Sequence, residues 1–367
     1  MKRGFPFFIL IVLIISCNKE EKNNLAWEKS SGKGSAYFIQ PSADSGFVAG
    51  GQIDGKPYLV KYDSKKDRLL EIATANPGLF SAAWSDTALF ITAGCSNGKL
   101  VLSRFDSKGV QFWEKVIDAQ INLEIARLRY TGNGRFLAMA TPDADSLSTG
   151  DSGLLFASFD TAGAIISQKT ISGAGYISSL RADFDNSGNI YLALTRKTST
   201  SKSRASVAKF SSDFNKLWET ELFNNPGFSS ASRGIKYLDG YVFITGRTEI
   251  PASSGTMMNS FVVSLNDRGQ ASDKWSDKKY PEFYNEGSDI DFDKKGNLLV
   301  LNRRCFIVNV FDPENGSTLG IIRAFSVCVS ETSGAHAFDM DQDYNGNILL
   351  AGSLDGNFYT AIKAPLQ

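Results

Sequence analysis

The stretch from Tyr176 to Leu222, YISSLRADFDNSGNIYLALTRKTSTSKSRASVAKFSSDFNKLWETEL, carries the pattern that decides the fold. It contains four apolar runs: Tyr176 to Phe184, Ile190 to Leu194, Ala205 to Phe210 and the residues around Trp218. Clusters of Asp, Asn, Ser and Gly separate these runs. Alternation with a period of two, bounded by such turn residues, is typical of half-buried antiparallel strands. The stretch therefore predicts one sheet of four antiparallel strands.

The third run of this stretch recurs along the chain as an apolar segment that usually ends in an aromatic residue followed by Asp or Asn. The copies are Tyr58 to Asp63, Leu100 to Asp106, Leu154 to Asp160, Val207 to Phe210, Phe261 to Asn266, Phe306 to Asp312 and Tyr359 to Lys363. They follow one another at roughly 43 to 55 residues, the spacing of β-propeller blades. The sequence thus predicts an all-β fold, a seven-bladed β-propeller of four-stranded antiparallel blades. Eight blades or an open solenoid are the alternatives.

The seventh copy is followed by too few residues for a fourth strand before Gln367. Leu25 to Lys29 (LAWEK) stands alone ahead of the first copy and is similar to the fourth runs around Trp113 and Trp218. We therefore expect this N-terminal strand to supply the missing outer strand of blade seven, which closes the ring and covers a sheet edge. Residues 25–367 then form a single domain.

The N-terminus has the features of a targeting signal. Lys2 and Arg3 precede an apolar run from Phe5 to Ile15, which is too short to span a bilayer but suits a signal-peptide core. A single cysteine, Cys17, follows this run directly. A generic secretory signal with a chance cysteine is the alternative.

The segment Ile14-Ile15-Ser16-Cys17 resembles the lipobox of bacterial lipoproteins, and Lys19-Glu20-Glu21 resembles the surface-export signal of Bacteroidetes lipoproteins. Together with the repeats, the chain resembles a Bacteroidetes-type lipoprotein with a tandem-repeat β-propeller domain. The resemblance implies a signal peptide over residues 1–16, lipidation of Cys17 and a tether over residues 17–24. It also implies attachment to the outer membrane through the lipid, facing either the cell surface or the periplasm.

Composition excludes two classes of function. Lysine plus arginine and aspartate plus glutamate each total 39, so the chain lacks the basic excess of a nucleic-acid binder. One histidine and four cysteines argue against a zinc site. No cofactor is predicted.

Two further features concern metal and redox chemistry. Asp341 and Asp343, ahead of Gly346, match the first half of an EF-hand loop and are the one calcium candidate. A hairpin turn is the preferred interpretation, because Asp-rich segments recur at the same place in other repeats. Export would permit a disulfide between Cys305 and Cys328, which leaves Cys95 as a buried free thiol.

Three consecutive connections between second and third strands are longer than the rest: Thr141 to Gly153, Thr195 to Arg204 and Arg247 to Asn259. Such connections share one face of a propeller, so we expect a raised rim there. The candidate binding residues on it are Asp143, Asp145, Asp151, Lys197, Lys202, Arg204, Met257 and Met258. Tolerated surface insertion explains the same lengths.

The sequence contains no nucleophile elbow, no HExxH motif and no phosphate-binding glycine loop. Its one histidine, His336, lies near the start of a predicted first strand and is interpreted as structural. We therefore favour a non-catalytic binding or scaffold module for a protein partner or a glycan. The alternative is an extracellular propeller enzyme, acting on polysaccharide or as a quinone-type dehydrogenase, with catalytic groups that converge only in three dimensions.

Overall fold

A computed structural model of the protein describes residues 25–73, 79–85, 89–142, 152–172, 175–197, 202–223, 227–252, 255–272, 275, 286–304, 306–324 and 334–365. Strands account for most of these residues, and every strand pairing among them is antiparallel. No helix within these ranges is long and apolar enough to cross a membrane.

The strands are numbered β1 to β26 in chain order. The first four are Leu25–Pro41, Phe47–Ile53, Lys56–Tyr62 and Arg68–Ala73. Strands β5 to β8 are Leu79–Ser85, Leu89–Ser96, Lys99–Asp106 and Gln111–Ile117. Strands β9 to β12 are Ile125–Gly132, Arg135–Thr141, Gly153–Asp160 and Ile165–Ser172. Strands β13 to β16 are Tyr176–Phe184, Ile190–Lys197, Ser203–Phe210 and Lys216–Glu221. Strands β17 to β19 are Ser230–Leu238, Tyr241–Ala252 and Gly255–Asn266. Strands β20 to β23 are Gly287–Phe292, Leu298–Asn302, Ile307–Phe311 and Thr318–Arg323, and β24 to β26 are His336–Gln342, Ile348–Leu354 and Asn357–Lys363.

Within the described ranges the strands form six hydrogen-bonded sheets, where seven separate blades were expected. The difference arises at β1, which pairs with two strands in succession. Its first part pairs with β26, with Trp27 opposite Ile362, and its second part pairs with β2, with Ile39 opposite Ala49. One sheet of seven strands therefore contains both the first and the last repeat, and the predicted N-terminal outer strand is present.

The sheet of β17 to β19 has three strands in the described part of the chain, where four were expected. Trp275, at the predicted fourth run, is buried and donates its indole N–H to the backbone oxygen of Pro313 at 2.8 Å. Residues 273–274 and 276–285, which flank it, lie outside the described residues. We refer below to each set of consecutive strands as a unit, from unit one (the second part of β1 with β2 to β4) to unit seven (β24 to β26 with the first part of β1).

The apolar core lies between successive units. Each cluster of buried side chains joins two neighbours: Leu102 of unit two packs with Phe136 of unit three, for example, and Phe156 of unit three packs with Phe210 of unit four. The last such cluster joins Ala351 of unit seven to Ala49 of unit one. Since alternate residues of one strand point to opposite faces, each sheet contributes one face to the cluster before it and one to the cluster after it.

Tryptophans on the outer strands β8 and β16 link their sheets to the next one along the chain. Trp113 donates its indole N–H to the backbone oxygen of Thr161 at 3.2 Å, and Trp218 donates to Asp267 at 2.9 Å. In both cases the acceptor lies in a hairpin turn of the following unit. Gly269 in the second turn has a φ of +75°, and a Cβ there would lie 2.7 Å from the Trp218 ring. A glycine is needed at this position for both reasons.

Candidate functional site

Charged side chains are concentrated on the first strands of units three to seven. Each first strand packs against the next along the chain, and β24 packs against both β20 and β1. The strand register places the charges at two equivalent levels. The upper level contains Arg127, Arg181, Asp289 and Asp339, and the lower level contains Arg129, Asp183, Lys236, Asp291 and Asp341.

At the upper level one arginine bridges two carboxylates. The Arg181 guanidinium forms an ion pair with Asp339 and lies 3.8 Å from an Asp289 oxygen. It also donates to the backbone oxygen of Phe338 at 2.9 Å. Burial, followed by the nearby charge of Arg181, lowers the pKa of Arg127 to about 9.

At the lower level the ion pairs join neighbouring units. Arg129 of unit three pairs with Asp183 of unit four at 3.3 Å, and Lys236 of unit five pairs with Asp291 of unit six at 2.9 Å. Burial alone lowers the pKa of Lys236, but the carboxylates of Asp291, Asp183 and Asp341 outweigh burial and raise it. The lower level is therefore a network of opposite charges.

Three of these carboxylates also accept hydrogen bonds from the backbone of the following unit. The N–H of Tyr237 donates to Asp183 at 2.8 Å, the N–H of Met340 donates to Asp289 at 3.0 Å, and the N–H of Ile39 donates to Asp339 at 2.7 Å. A buried backbone N–H left without a partner costs about 1–3 kcal/mol. These three carboxylates thus link their first strands, β13, β20 and β24, to the next first strand by hydrogen bonds.

Burial raises the pKa of two carboxyl groups to about 7. For Asp289 the charge of Asp339 and its hydrogen bond to that residue add to burial, against the lowering effect of Arg181. For Asp341 the charge of Asp291 adds to burial, against the lowering effect of Lys236. A carboxyl group with a pKa near 7 can give or accept a proton at neutral pH.

A third group of charges lies where the first strands of units five and six begin. Glu286 directly precedes β20, and three arginines converge on it. Arg233 Nε lies 2.5 Å and Arg247 Nε 3.7 Å from one Glu286 oxygen, and Arg303 Nη1 lies 3.0 Å from the other. We call these four residues the arginine cluster. Although burial raises the pKa of Glu286, the three guanidinium groups lower it below the ordinary value.

The candidate residues of the three predicted rim loops differ in whether the structure describes them and in what they contact. Asp143, Asp145 and Asp151 lie outside the described residues. Lys197 and Lys202 flank the tip of the hairpin of β14 and β15, where Lys202 pairs with Glu249 of unit five at 3.3 Å. Arg204 is buried, pairs with Glu221 at 3.2 Å and donates to the backbone oxygen of Phe228, so its guanidinium already has partners within the fold.

The prediction of a loop from Arg247 to Asn259 is wrong. Strands β18 and β19 continue through it as a hairpin, in which Met257 pairs with Ile250 and Met258 with Glu249. The physical reason is that the β-branched and long side chains of this segment favour paired strands over a polar loop. This extension places Arg247 in the arginine cluster, two residues before Glu249.

The Asp-rich turns have one hydrogen-bond pattern. Asp185, Asp293 and Asp343 each accept from the backbone N–H groups two and four residues ahead and from the side chain of the Asn four residues ahead. Asp341 instead accepts from the backbone N–H of Gln342 at 2.7 Å. No group of three or more His, Cys, Asp and Glu side chains suited to a metal ion occurs in the described part of the chain.

The cysteines are only partly described. Cys95 is a buried free thiol, as expected, and burial raises its pKa to about 12. Cys17, Cys305 and Cys328 lie outside the described residues.

Sequence analysis missed the arginine cluster and the upper level entirely. A signal was present, however. Charged residues stand two apart on otherwise apolar first strands, as Arg127 and Arg129, Arg181 and Asp183, Asp289 and Asp291, and Asp339 and Asp341. Charges at alternate positions of a strand share one face. That face therefore could not belong to the apolar core.

Comparison with known proteins supports the fold. No family model and no curated protein matches the sequence. The crystal structure of Chaetomium thermophilum Raptor is similar, with a TM-score of 0.61 and 13% identity over 94% of this chain. The chain spans 29% of the length of that protein, and the likeness concerns the fold alone. A protein of unknown function from Bacteroides caccae is 9% identical, with a TM-score of 0.43, covering 87% of this chain and 82% of that one.

Proposed function

We propose that the protein is a lipid-anchored module of a bacterial cell envelope that binds a protein partner or a glycan without catalysing a reaction. Cys17 carries the lipid after removal of residues 1–16, and residues 17–24 tether the folded domain to the outer membrane. The support for this part of the proposal is the lipobox-like segment that ends at Cys17.

The architecture that we propose is a ring of seven blades. Two observations support it. The apolar clusters link the units in succession and join unit seven to unit one. The first strands likewise contact one another from β1 to β24 and back to β1. In this arrangement β1 is shared between blade seven and blade one, which leaves no unpaired edge at the closure.

The observation that carries a non-catalytic function is the use of the converging carboxylates. Asp183, Asp289 and Asp339 are each nearly fully buried and hold a backbone N–H of the neighbouring unit. A carboxylate that is buried and accepts a backbone hydrogen bond from the neighbouring unit is not available to attack or protonate a substrate. The arginine cluster, by contrast, keeps the side chains of Arg233, Arg247 and Arg303 partly exposed.

One observation favours an enzyme as the second candidate. Asp341 holds no backbone N–H of a neighbouring unit in the described part of the chain, and its pKa is raised to about 7, which is suited to general acid or base catalysis. An extracellular enzyme acting on polysaccharide would use such groups. A quinone-type dehydrogenase would need a bound cofactor in addition.

A turnover assay separates the two candidates. The full chain is incubated with neutral and acidic polysaccharides, and released fragments are measured by chromatography. We expect none above the level of heat-denatured protein. Fragment release that is lost in Asp341→Asn but kept in the exposed variant Asp67→Asn would overturn the non-catalytic proposal.

A second experiment tests the anchor and the location. Cells expressing the wild type or Cys17→Ala are labelled with a clickable palmitate analogue, and intact cells are treated with protease. Labelling that needs Cys17 is expected. Digestion from outside would place the protein on the surface, whereas protection would place it in the periplasm. Equal labelling of Cys17→Ala would contradict the anchor.

A further inference from the structure

In the arginine cluster three guanidinium groups surround one carboxylate. Three guanidinium groups face Glu286, and they come from two adjacent units: Arg233 and Arg247 from unit five and Arg303 from the end of β21 in unit six. Burial, together with the charges of Arg247 and Arg303, lowers the pKa of Arg233 even though Glu286 opposes that effect. The guanidinium groups therefore repel one another at this place.

The four side chains of the arginine cluster differ in solvent exposure, and the difference favours the binding of an anion from solution. The Glu286 side chain is 12% exposed, whereas those of Arg233, Arg247 and Arg303 are 26%, 35% and 37% exposed. The carboxylate side chain is thus the least exposed of the four, and those of Arg247 and Arg303 are the most exposed. Attraction between charges is stronger in such a partly desolvated place than at an open surface. A second carboxylate that arrives from the solvent would relieve the repulsion between the arginines.

An aromatic pair borders the cluster. The Arg303 guanidinium lies 5.2 Å from the centre of the Phe338 ring, and the Tyr37 ring meets Phe338 edge to face at 5.4 Å. Both rings are half-buried. The Tyr37 hydroxyl accepts a hydrogen bond from the side chain of Gln52 at 2.8 Å, which fixes that ring. Arginines beside fixed, partly exposed aromatic rings can hold a ligand that carries both a negative charge and a face of C–H groups.

A polar group lies next to the aromatic pair. His336 pairs with Arg304 through an isolated bridge, and its Nδ1 is buried without a hydrogen-bond partner. Burial, and then the charges of Arg303 and Arg304, lower the pKa of this histidine. Its imidazole is therefore neutral at pH 7 and adds a hydrogen-bonding group without a further charge.

We propose that the arginine cluster and the Tyr37–Phe338 pair form a binding site for an acidic oligosaccharide, with a uronate carboxylate held by Arg247 and Arg303 and its sugar ring against the aromatic pair. This inference rests on the proposed binding function and names the class of ligand. The negative face of an aromatic ring attracts the C–H groups of a sugar. Arginine forms the strong, charge-assisted hydrogen bonds that a carboxylate needs. An acidic peptide offers the carboxylate but no ring of matching C–H groups.

The test is a calorimetric titration of the full chain, in detergent, with trigalacturonate. The neutral galactose trimer and a triglutamate peptide serve as comparison ligands. We expect trigalacturonate to bind more tightly than either, with an affinity that falls as salt is added. Arg247→Gln should weaken binding about tenfold or more, the loss expected for a charge-assisted hydrogen bond. Arg196→Gln, which removes an exposed arginine paired with Glu219 in unit four, is the matched control and should bind as the wild type does.

A second variant removes the competing internal carboxylate. Glu286→Gln should bind trigalacturonate at least as tightly as the wild type, because the three arginines then lack their internal anion. If Glu286 only holds the fold together, the same variant would lower both the melting temperature and the affinity. Thermal melting of every variant is measured to separate these effects.

Three results would overturn the inference: no binding of trigalacturonate, equal affinity in Arg247→Gln and Arg196→Gln, or a preference for the triglutamate peptide. The last result would replace the glycan by a protein partner and leave the proposed binding function standing. Cleavage of trigalacturonate during the titration would instead refute the non-catalytic function, while the site itself would stand.

Discussion

The pairing of β1 with β26 makes a quantitative prediction about Trp27. This residue lies in the part of β1 that completes the last repeat. Its ring meets those of Phe47 and Tyr62 edge to face, with centroids 5.5 and 4.9 Å apart. Both partners belong to unit one. Trp27 therefore joins the first and last repeats by packing as well as by its strand pairing.

Replacing Trp27 with alanine should destabilise the protein by about 2 kcal/mol. Truncation of a fully buried tryptophan costs about 3–5 kcal/mol. Trp27 is half-buried, so about half of that loss is expected. Because the entropy of unfolding grows with chain length, such a loss lowers the melting temperature of a chain of this size by about 3 °C. Differential scanning calorimetry at one fixed scan rate measures the shift.

Lys29→Ala is the matched control, because Lys29 lies on the same part of β1, opposite Thr360, but is exposed. We expect its melting temperature to stay within about 1 °C of the wild type, as for most surface substitutions. If Trp27→Ala melted together with Lys29→Ala, the packing of Trp27 would contribute nothing to closure. Deletion of residues 25–29 should go further, because it exposes the edge of β26 and promotes aggregation, which light scattering detects.

Three further predictions concern other parts of the molecule. Gly269→Ala should lower the melting temperature by several degrees more than Gly240→Ala. Both glycines have a positive φ, but a Cβ at Gly269 would meet the Trp218 ring, whereas a Cβ at Gly240 would meet nothing. Equal shifts in melting temperature would refute the role of the contact with Trp218. Because burial raises the pKa of Asp289 to about 7, the folded state keeps a proton that the unfolded state loses from about pH 4 upward, so stability should fall as the pH rises toward 7. Asp289→Asn should flatten that slope in urea titrations, and an unchanged slope would contradict the pKa assignment. Since burial raises the pKa of Cys95 to about 12, a thiol reagent at pH 8 should label native wild type and Cys95→Ser to the same extent, and one additional label in the wild type would show that Cys95 is accessible.

The strands were predictable because their signals are local. Alternation of apolar residues and an Asp–Gly turn are both contained within about ten residues, as in Tyr176 to Asn189. The N-terminal strand was predictable for the same reason, since the Trp-Glu pair of Leu25 to Lys29 recurs in other outer strands. That β1 continues into unit one was not predictable. Gly32 and Gly34 are typical of a connection, yet the chain stays extended through both.

The arginine cluster was not predictable from the sequence because its members are distant in the chain. Arg233 and Glu286 are separated by 53 positions, and only the packing of β17 against β20 brings them together. The candidate rim residues were chosen from loop length and charge, which do not reveal whether a side chain already has a partner. Arg204, for example, is buried, pairs with Glu221 and donates to the backbone oxygen of Phe228. The charges at alternate positions of the first strands, by contrast, are a local signal for the two charged levels.

The charges of the first strands also explain how the repeated units can pack against one another. Arg181, Asp289 and Asp339 occupy equivalent register positions in units four, six and seven. If every unit carried aspartate there, buried carboxylates would repel one another where the first strands meet. Arginine at this position in unit four, with Arg127 in unit three, supplies the opposite charge. Because Arg181 supplies the charge that the buried carboxylates need, the double substitution Arg181→Asp with Asp339→Arg should preserve folding better than Arg181→Asp alone.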